Sequence, residues 1–227
     1  MRVLDLFSGI GGFSLGLERA GMTTVAFCET DRKCQNVLSR RWPGVKIYED
    51  VRRVTGAGLH RDGIFPDLIC GGFPCQPFST AARGRNNKPD LWPYMHMLAD
   101  ELRVPWLLAE NVPGLGYHGI DRVCGDLEAS NYTCWPYRLD TAPHGRHRGR
   151  DRFIVVAYAN GQGQPRRSVD AQVACIPEVS GRRWQDDPAP VGMDDGVSGR
   201  MDRLRQLGNS ISPWAAEMFG RAIMAAA

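Results

Sequence analysis

Cys75 lies between two prolines in Gly71-Gly72-Phe73-Pro74-Cys75-Gln76-Pro77-Phe78-Ser79, directly after the apolar run Leu68-Ile69-Cys70. Pro74 and Pro77 each fix φ at about −65° and bias the preceding residue away from helix. The backbone around the thiol is therefore held extended or turned at the tip of a strand, which is how a nucleophile is mounted rigidly. The other reading of Cys75 is a buried small hydrophobe, as most free cysteines are, although a Gly/Pro loop is a poor place for core. Locally both readings stand, and residues elsewhere must decide. Glu110 ends the apolar run Trp106-Leu107-Leu108-Ala109 and leads into Asn111-Val112-Pro113-Gly114. A carboxyl group at the end of a buried parallel strand faces the crevice where open α/β sheets bind ligands. Desolvation there raises its pKa and suits it to donate a proton near neutrality.

A second group of residues suits a cofactor. Ser8-Gly9-Ile10-Gly11-Gly12 follows a short strand and opens a helical pattern, so its small residues let the backbone approach a ligand at a helix N-terminus. Glu29 ends the next strand, about 20 residues beyond the loop, where an acidic residue grips a ribose diol. It reads equally as an acidic neighbour of the next helix start, with Thr30 and Asp31. The segment Pro143-His144-Gly145-Arg146-His147-Arg148-Gly149-Arg150-Asp151-Arg152 is the one clearly basic stretch. Lying between two short strands, it fits a hairpin beside a cleft better than a solvated charge run.

The elements that must position these residues alternate strand and helix, the pattern of a doubly wound α/β sheet. Strands are expected at 2–7, Thr23–Cys28, Val45–Tyr48, Leu68–Cys70, Trp106–Ala109, Tyr132–Leu139 and Phe153–Tyr158. Helices are expected at Phe13–Ala20, 31–42, Leu91–Leu102, about 118–129 and Trp214–Met224. The Gly71-Gly72 pair reads as an abrupt strand stop. Thr80 to Asp90 is a polar loop carrying Arg83, Arg85 and Lys88. Residues 160–199 are rich in glycine, proline and polar side chains, with Arg166-Arg167 and Arg182-Arg183-Trp184, and fit a minimal lobe or a partly disordered linker.

At 227 residues the chain is long enough for one sizeable core and a small lobe. Hydrophobic residues at 43% and charged residues at 23% are ordinary for a globular protein. No apolar run approaches a membrane span, and the opening residues read as a strand rather than a signal peptide, so a cytoplasmic protein is expected. The seven cysteines form no Cys-x-x-Cys pair, which suggests neither a disulfide framework nor a zinc site. A net charge of +3 is compatible with nucleic acid without arguing for it.

Taken together, these motifs resemble those of the DNA cytosine-5 methyltransferases, over most of residues 1–159 and again at about 200–222. Residues 71–79 are similar to that family's nucleophile motif, Asp5 to Phe13 to its S-adenosylmethionine loop, and Glu110-Asn111-Val112 to its Glu-Asn-Val motif. Arg150 and Arg152 match its paired arginines, and Gly208-Asn209-Ser210-Ile211-Ser212-Pro213 its last motif. The resemblance implies a class I S-adenosylmethionine-dependent methyltransferase fold: a Rossmann-like, mostly parallel seven-stranded sheet with one antiparallel strand, and a small irregular recognition lobe. It divides the chain into a catalytic and cofactor-binding domain at 1–159, a reduced target-recognition region at 160–199, and a C-terminal segment at 200–227 that packs back.

What the resemblance implies about residues is specific. Cys75, Glu110, Arg150 and Arg152 would be catalytic. Phe7, Ser8, Gly9, Gly11, Gly12, Glu29, Asp50, Val51, Leu91 and Asn209 would bind the cofactor, with Asp50 on the adenine amino group and Phe7 and Val51 flanking the ring. Phe73, Pro74, Gln76, Ser79, Arg83, Arg85 and Asn111 would meet double-stranded DNA. No metal and no membrane are expected, and the protein would act as a monomer in the cytoplasm of a prokaryote, or encoded by a phage, in a restriction-modification setting. Three departures stand out: Arg148 replaces a glutamine, Lys88-Pro89 does not reproduce an arginine the family often has, and the recognition interval is short. A transfer RNA cytosine-5 methyltransferase and a catalytically weak DNA-binding module are the alternatives. Gln76-Pro77-Phe78-Ser79 favours DNA over the first, and Cys75 together with Glu110 speaks against the second.

Overall fold

The computed structural model describes residues 1–74, 89–111, 116–139, 152–161 and 211–227, with the side chains of 116–118 left aside. Cys75, Gln76, Ser79, Arg83, Arg85, Arg150 and Asn209, together with the 160–199 interval beyond Gly161, lie outside the described residues. Seven strands form one sheet in the order β3-β2-β1-β4-β5-β7-β6. They are β1 (Arg2–Leu6), β2 (Thr23–Cys28), β3 (Lys46–Tyr48), β4 (Leu68–Gly72), β5 (Trp106–Asn111), β6 (Tyr132–Leu139) and β7 (Arg152–Ala159). The first five pair in parallel, and β7 runs antiparallel to both β5 and β6. The expected sheet with one reversed strand is therefore present.

The helices are α1 (Gly12–Arg19), α2 (Arg32–Arg41), α3 (Gly56–Arg61), α4 (Trp92–Leu102), α5 (Gly116–Ala129) and α6 (Pro213–Ala226), with a 3-10 turn at Val51–Arg53. Two cores cover the two faces of the sheet. Leu107 and Ala109 point to the side of α3, α4 and α5, while Trp106 and Leu108 point to the side of α1 and α6. That alternation is the period-2 consequence of a strand buried on both faces. Helix α6 lies directly on α1: a Cβ placed on Gly16 would stand 2.1 Å from the Pro213 carbonyl oxygen, and one on Gly220 2.9 Å from the Ala20 Cβ. Two glycines thus set how closely these helices approach.

Strand order reverses at β1, with β2 on one side of it and β4 on the other. Open α/β sheets bind ligands outside the carboxyl ends of strands at such a switch point. The glycine loop leaves β1 there, and Phe73-Pro74 leaves β4 beside it.

One expectation is corrected. Gly71 and Gly72 do not stop β4, since both pair with β1 or β5. A Cβ on Gly71 would meet the Leu6 carbonyl oxygen at 2.5 Å, and one on Gly72 the Glu110 Oε2 at 2.7 Å. The glycines are there to let neighbouring groups close in, not to break the strand.

Candidate active site

Glu110 and Asn111 are the last residues of β5 and are 8% and 4% exposed. They point to opposite faces, as successive strand residues must. The Asn111 Nδ2 donates to the Phe73 carbonyl at 3.0 Å. That bond fixes the backbone two residues before Cys75. Phe73 is itself buried, its ring 5.2 Å from the Trp92 ring.

On the other face, the Arg152 Nε lies 2.6 Å from the Glu110 Oε1. Glu110 opposes Ile154 on β7, so Arg152 is its diagonal cross-strand neighbour. Gly72 opposes Glu110 on the other flank and leaves room for its carboxyl group. Burial of the pair is nearly complete, with side-chain exposures of 14% and 10%. Burial therefore does not act on Glu110 alone, because a guanidinium at this distance favours the charged carboxylate while desolvation opposes it.

The cofactor candidates form a second cluster at the carboxyl ends of β1, β2 and β3. Phe7 takes φ 55°, a left-handed conformation that is uncommon for a bulky residue and turns the chain sharply out of β1. The Ser8 N–H donates to the Cys28 carbonyl at 3.1 Å, and its hydroxyl to the Asp5 carbonyl at 2.6 Å. Glu29 accepts the Gly9 N–H at 2.7 Å through Oε2 and the Asp31 N–H at 2.8 Å through Oε1. One carboxylate thus joins the glycine loop to the start of α2, where Asp31 is the N-cap.

No described residue comes within 4 Å of the place of a Gly9 Cβ, whereas a Cβ on Gly11 would strike the Trp42 ring at 2.5 Å. Gly11 is thus required by packing, whereas Gly9 is not. Asp50 caps the 3-10 turn that contains the buried Val51. Thr30, Gln35, Ile47, Tyr48 and Asp50 line a cleft of about 490 Å³, a size that suits a nucleoside. Leu91 precedes α4 and packs against the core on the α4 side.

Beneath the loop lies Asp5, fully buried. Its Oδ2 accepts the Ser14 hydroxyl at 2.7 Å and the Ser14 N–H at 3.3 Å. Ser14 is in the first turn of α1, whose N-cap, Gly11, has no side chain to offer, so Asp5 caps the helix from below. Burial pushes the Asp5 carboxyl up to about 7, against the opposing pull of the Ser14 bonds. Its Oδ1 has no hydrogen-bond partner among the described residues.

A sequence profile of C-5 cytosine-specific DNA methylases matches residues 1–184. The chain belongs to this family. It is similar to the Type II methyltransferase M2.BsuMI of Bacillus subtilis, 36% identical over 172 residues, which cover 69% of this chain and 42% of that protein. Among solved structures, one described as a DNA modification methyltransferase encoded within an E. coli prophage superposes with a TM-score of 0.61 at 27% identity, over 73% of this chain and 48% of that one. The Spodoptera frugiperda DNMT2 structure shares the fold, with a TM-score of 0.60 at 24% identity over 72% of this chain and 51% of that one. The chain spans about half the length of the relatives it matches.

Within this family member, the structure brings Glu110, Asn111, Phe73, Pro74 and Arg152 to one part of the carboxyl end of the sheet and Phe7, Ser8, Gly9, Glu29, Asp50 and Val51 to the adjoining part. Sequence reasoning did not find the parts played by Asp5, Ser14 and Gly72. Asp5 had a signal, an acidic residue in the middle of an apolar strand, since unpaired carboxylates are almost never fully buried. Among the described residues, no group of three or more His, Cys, Asp or Glu could hold a metal ion, and no helix is long and apolar enough to cross a membrane.

Proposed function

We propose that this chain transfers a methyl group from S-adenosylmethionine to carbon 5 of a cytosine flipped out of double-stranded DNA, through a temporary bond between the base and Cys75. One observation supports this above the others: β5 presents Glu110 against Arg152 on one face while its next residue, Asn111, grips the backbone leading to Cys75 on the other. In this reading a proton-handling group and the segment leading to the nucleophile share one strand end.

The cofactor fits the residues present. The glycine loop, Glu29, Asp50, Val51, Leu91 and Asn209 would hold it, beside Gly9, whose Cβ place no described residue approaches within 4 Å, and the cleft next to Asp50. When bound it supplies an electrophilic methyl group. Carbon 5 of cytosine is too weak a nucleophile to react unaided, so the Cys75 thiolate adds at carbon 6 and makes the ring an enamine. Glu110 gives a proton or a hydrogen bond to N3 as electrons move into the ring. Arg152 fixes the direction of that carboxyl group, and Arg150 is placed by the sequence two residues before it. Once carbon 5 carries the methyl group, loss of its proton returns the electron pair and expels Cys75.

None of this is possible inside a base stack, so the cytosine must be extruded at a cost of a few kcal/mol, in the order of magnitude usual for unstacking. Phe73, Pro74, Gln76, Ser79 and Asn111 would line its path, with Arg83 and Arg85 on phosphates. A prokaryotic cytoplasm would be the setting, in keeping with the bacterial relatives, and the chain would act as a monomer.

Trapping tests the reading. Duplex DNA containing 5-fluorocytosine, incubated with the chain and cofactor, should give a covalent adduct stable to denaturation, because the fluorine cannot leave as a proton does. Cys75→Ser should give none and still bind the demethylated cofactor. An adduct that persists in Cys75→Ser, or that forms on transfer RNA and not on DNA, would overturn the nucleophile or the substrate respectively.

A further inference from the structure

The acceptor positions of Asp50 are nearly all in use before any ligand arrives. An ionised carboxylate offers about four lone-pair positions. The Arg52 backbone N–H takes one on Oδ1 at 3.0 Å. The Arg52 Nη2 takes one on Oδ2 at 2.6 Å, and the single Nε proton sits between the oxygens, 2.9 Å from Oδ1 and 3.0 Å from Oδ2. Three protons occupy three positions, and among the described residues one remains. The fork is planar and the backbone bond is fixed by the 3-10 turn, so the carboxylate cannot rotate to offer another.

We infer that Arg52 is a positioning and specificity residue for the nucleoside, holding the Asp50 carboxylate in one orientation with a single free acceptor position. This rests on the cofactor reading above, in which Asp50 meets the adenine amino group. A lone acceptor in a fixed direction takes the 6-amino group of adenine and disfavours a 6-oxo purine, which presents another acceptor there. The side-chain bond from Arg52 also holds the Asp50 carboxyl below its usual range, so it accepts and does not donate. Arg52 itself is 56% exposed, and an exposed ion pair contributes little to stability. Its geometry serves orientation rather than the fold.

Titration calorimetry of the full chain with S-adenosylhomocysteine and S-inosylhomocysteine tests this. The unaltered chain should prefer the adenine compound. In Arg52→Ala, ordering the released carboxylate costs what immobilising a side chain costs, so adenine affinity should fall about three- to tenfold and the preference should narrow. Arg52→Lys, which keeps the charge but not the fork, should lie between. Adenine affinity should also weaken at higher pH on acidification in Arg52→Ala than in the unaltered chain. In turnover, KM for the cofactor should rise with kcat unchanged. Unchanged or tighter adenine binding in Arg52→Ala would overturn the assignment and make Arg52 a bystander or a competitor. Failure of the unaltered chain to bind either compound would overturn the cofactor reading itself.

Discussion

Glu110 holds a buried carboxyl group against the Arg152 guanidinium, and its substitution separates chemistry from shape. Glu110→Gln keeps the volume and an acceptor for Arg152 but loses the exchangeable proton. Single-turnover methylation should fall by about 10² to 10⁴, the range for a lost general acid. A loss under tenfold would make Glu110 structural. Asp5 is the second carboxyl group whose environment decides its behaviour, and its pH dependence has a definite sign. Its folded pKa of about 7 exceeds the ordinary 3.8, so the folded chain binds more protons than the unfolded chain between those values. Asp5 therefore favours folding least at high pH, and its contribution is lost as pH rises through 7. Asp5→Asn removes the ionisation and keeps an acceptor for Ser14. Chemical denaturation at pH 5 and pH 8 should show the variant gaining on the unaltered chain as pH rises, by roughly 2 to 3 kcal/mol. A difference that does not change with pH would show that Asp5 titrates normally.

Between elements, the glycines of β4 make a paired test. Gly72→Ala pushes only on the carboxyl end of Glu110, whereas Gly71→Ala pushes on the Leu6 backbone. Gly72→Ala should fold, bind the demethylated cofactor normally and lose at least about tenfold in turnover, since displacing a catalytic group by an ångström costs that or more. Gly71→Ala should lower the melting temperature instead, and equal effects of the two on both readouts would contradict this division. Glu29 joins loop to helix, so Glu29→Ala should weaken binding of the demethylated cofactor, checked by the same calorimetry. Much of this level was legible in the sequence. Strand β6 runs over the expected Tyr132–Leu139, and the other expected strands and helices lie within a residue or two of their observed bounds. Helix α3 was not legible because Gly56-Ala57-Gly58-Leu59-His60-Arg61 is a poor helix former. It is held by partners: the Thr55 hydroxyl accepts the Gly58 N–H, and Glu101 of α4 accepts the Gly56 N–H at 2.8 Å. Likewise the bond from Asn111 to Phe73 and the pair of Glu110 with Arg152 join residues 38 and 42 apart, which periodicity cannot see. Their motifs could be recognised, but not the contacts between them.

For the whole molecule, the proposed function turns on how DNA would be chosen. The 160–199 interval has few apolar residues and must lean on the catalytic domain or on DNA for any recognition surface. A good base-edge contact is worth about 1 to 3 kcal/mol, and so small a region can present only a few. Arg83, Arg85, Lys88, Arg166, Arg167, Arg182 and Arg183 would supply phosphate contacts, so affinity should fall steeply with salt. The expected target is about two to four base pairs, or relaxed specificity, on the same contact counting. Bisulfite mapping after expression in a methylation-free host checks it. A strict site of six or more base pairs would mean that this interval reads more than its size suggests, or that a partner reads for it.

The contact between α1 and α6 joins residues about 200 apart in the chain, and the order of synthesis gives that distance a consequence. Helix α1 carries the glycine loop on its N-terminal end, yet the face containing Gly16 is covered only when Pro213–Ala226 arrives. At about 5 to 20 residues per second, a ribosome takes roughly 10 to 40 s to make the intervening stretch. During that interval Leu17 and its neighbours present apolar surface to the cell, which favours capture by a chaperone. The proposed cofactor site, early in the sequence, is therefore completed only after the α6 segment has been made.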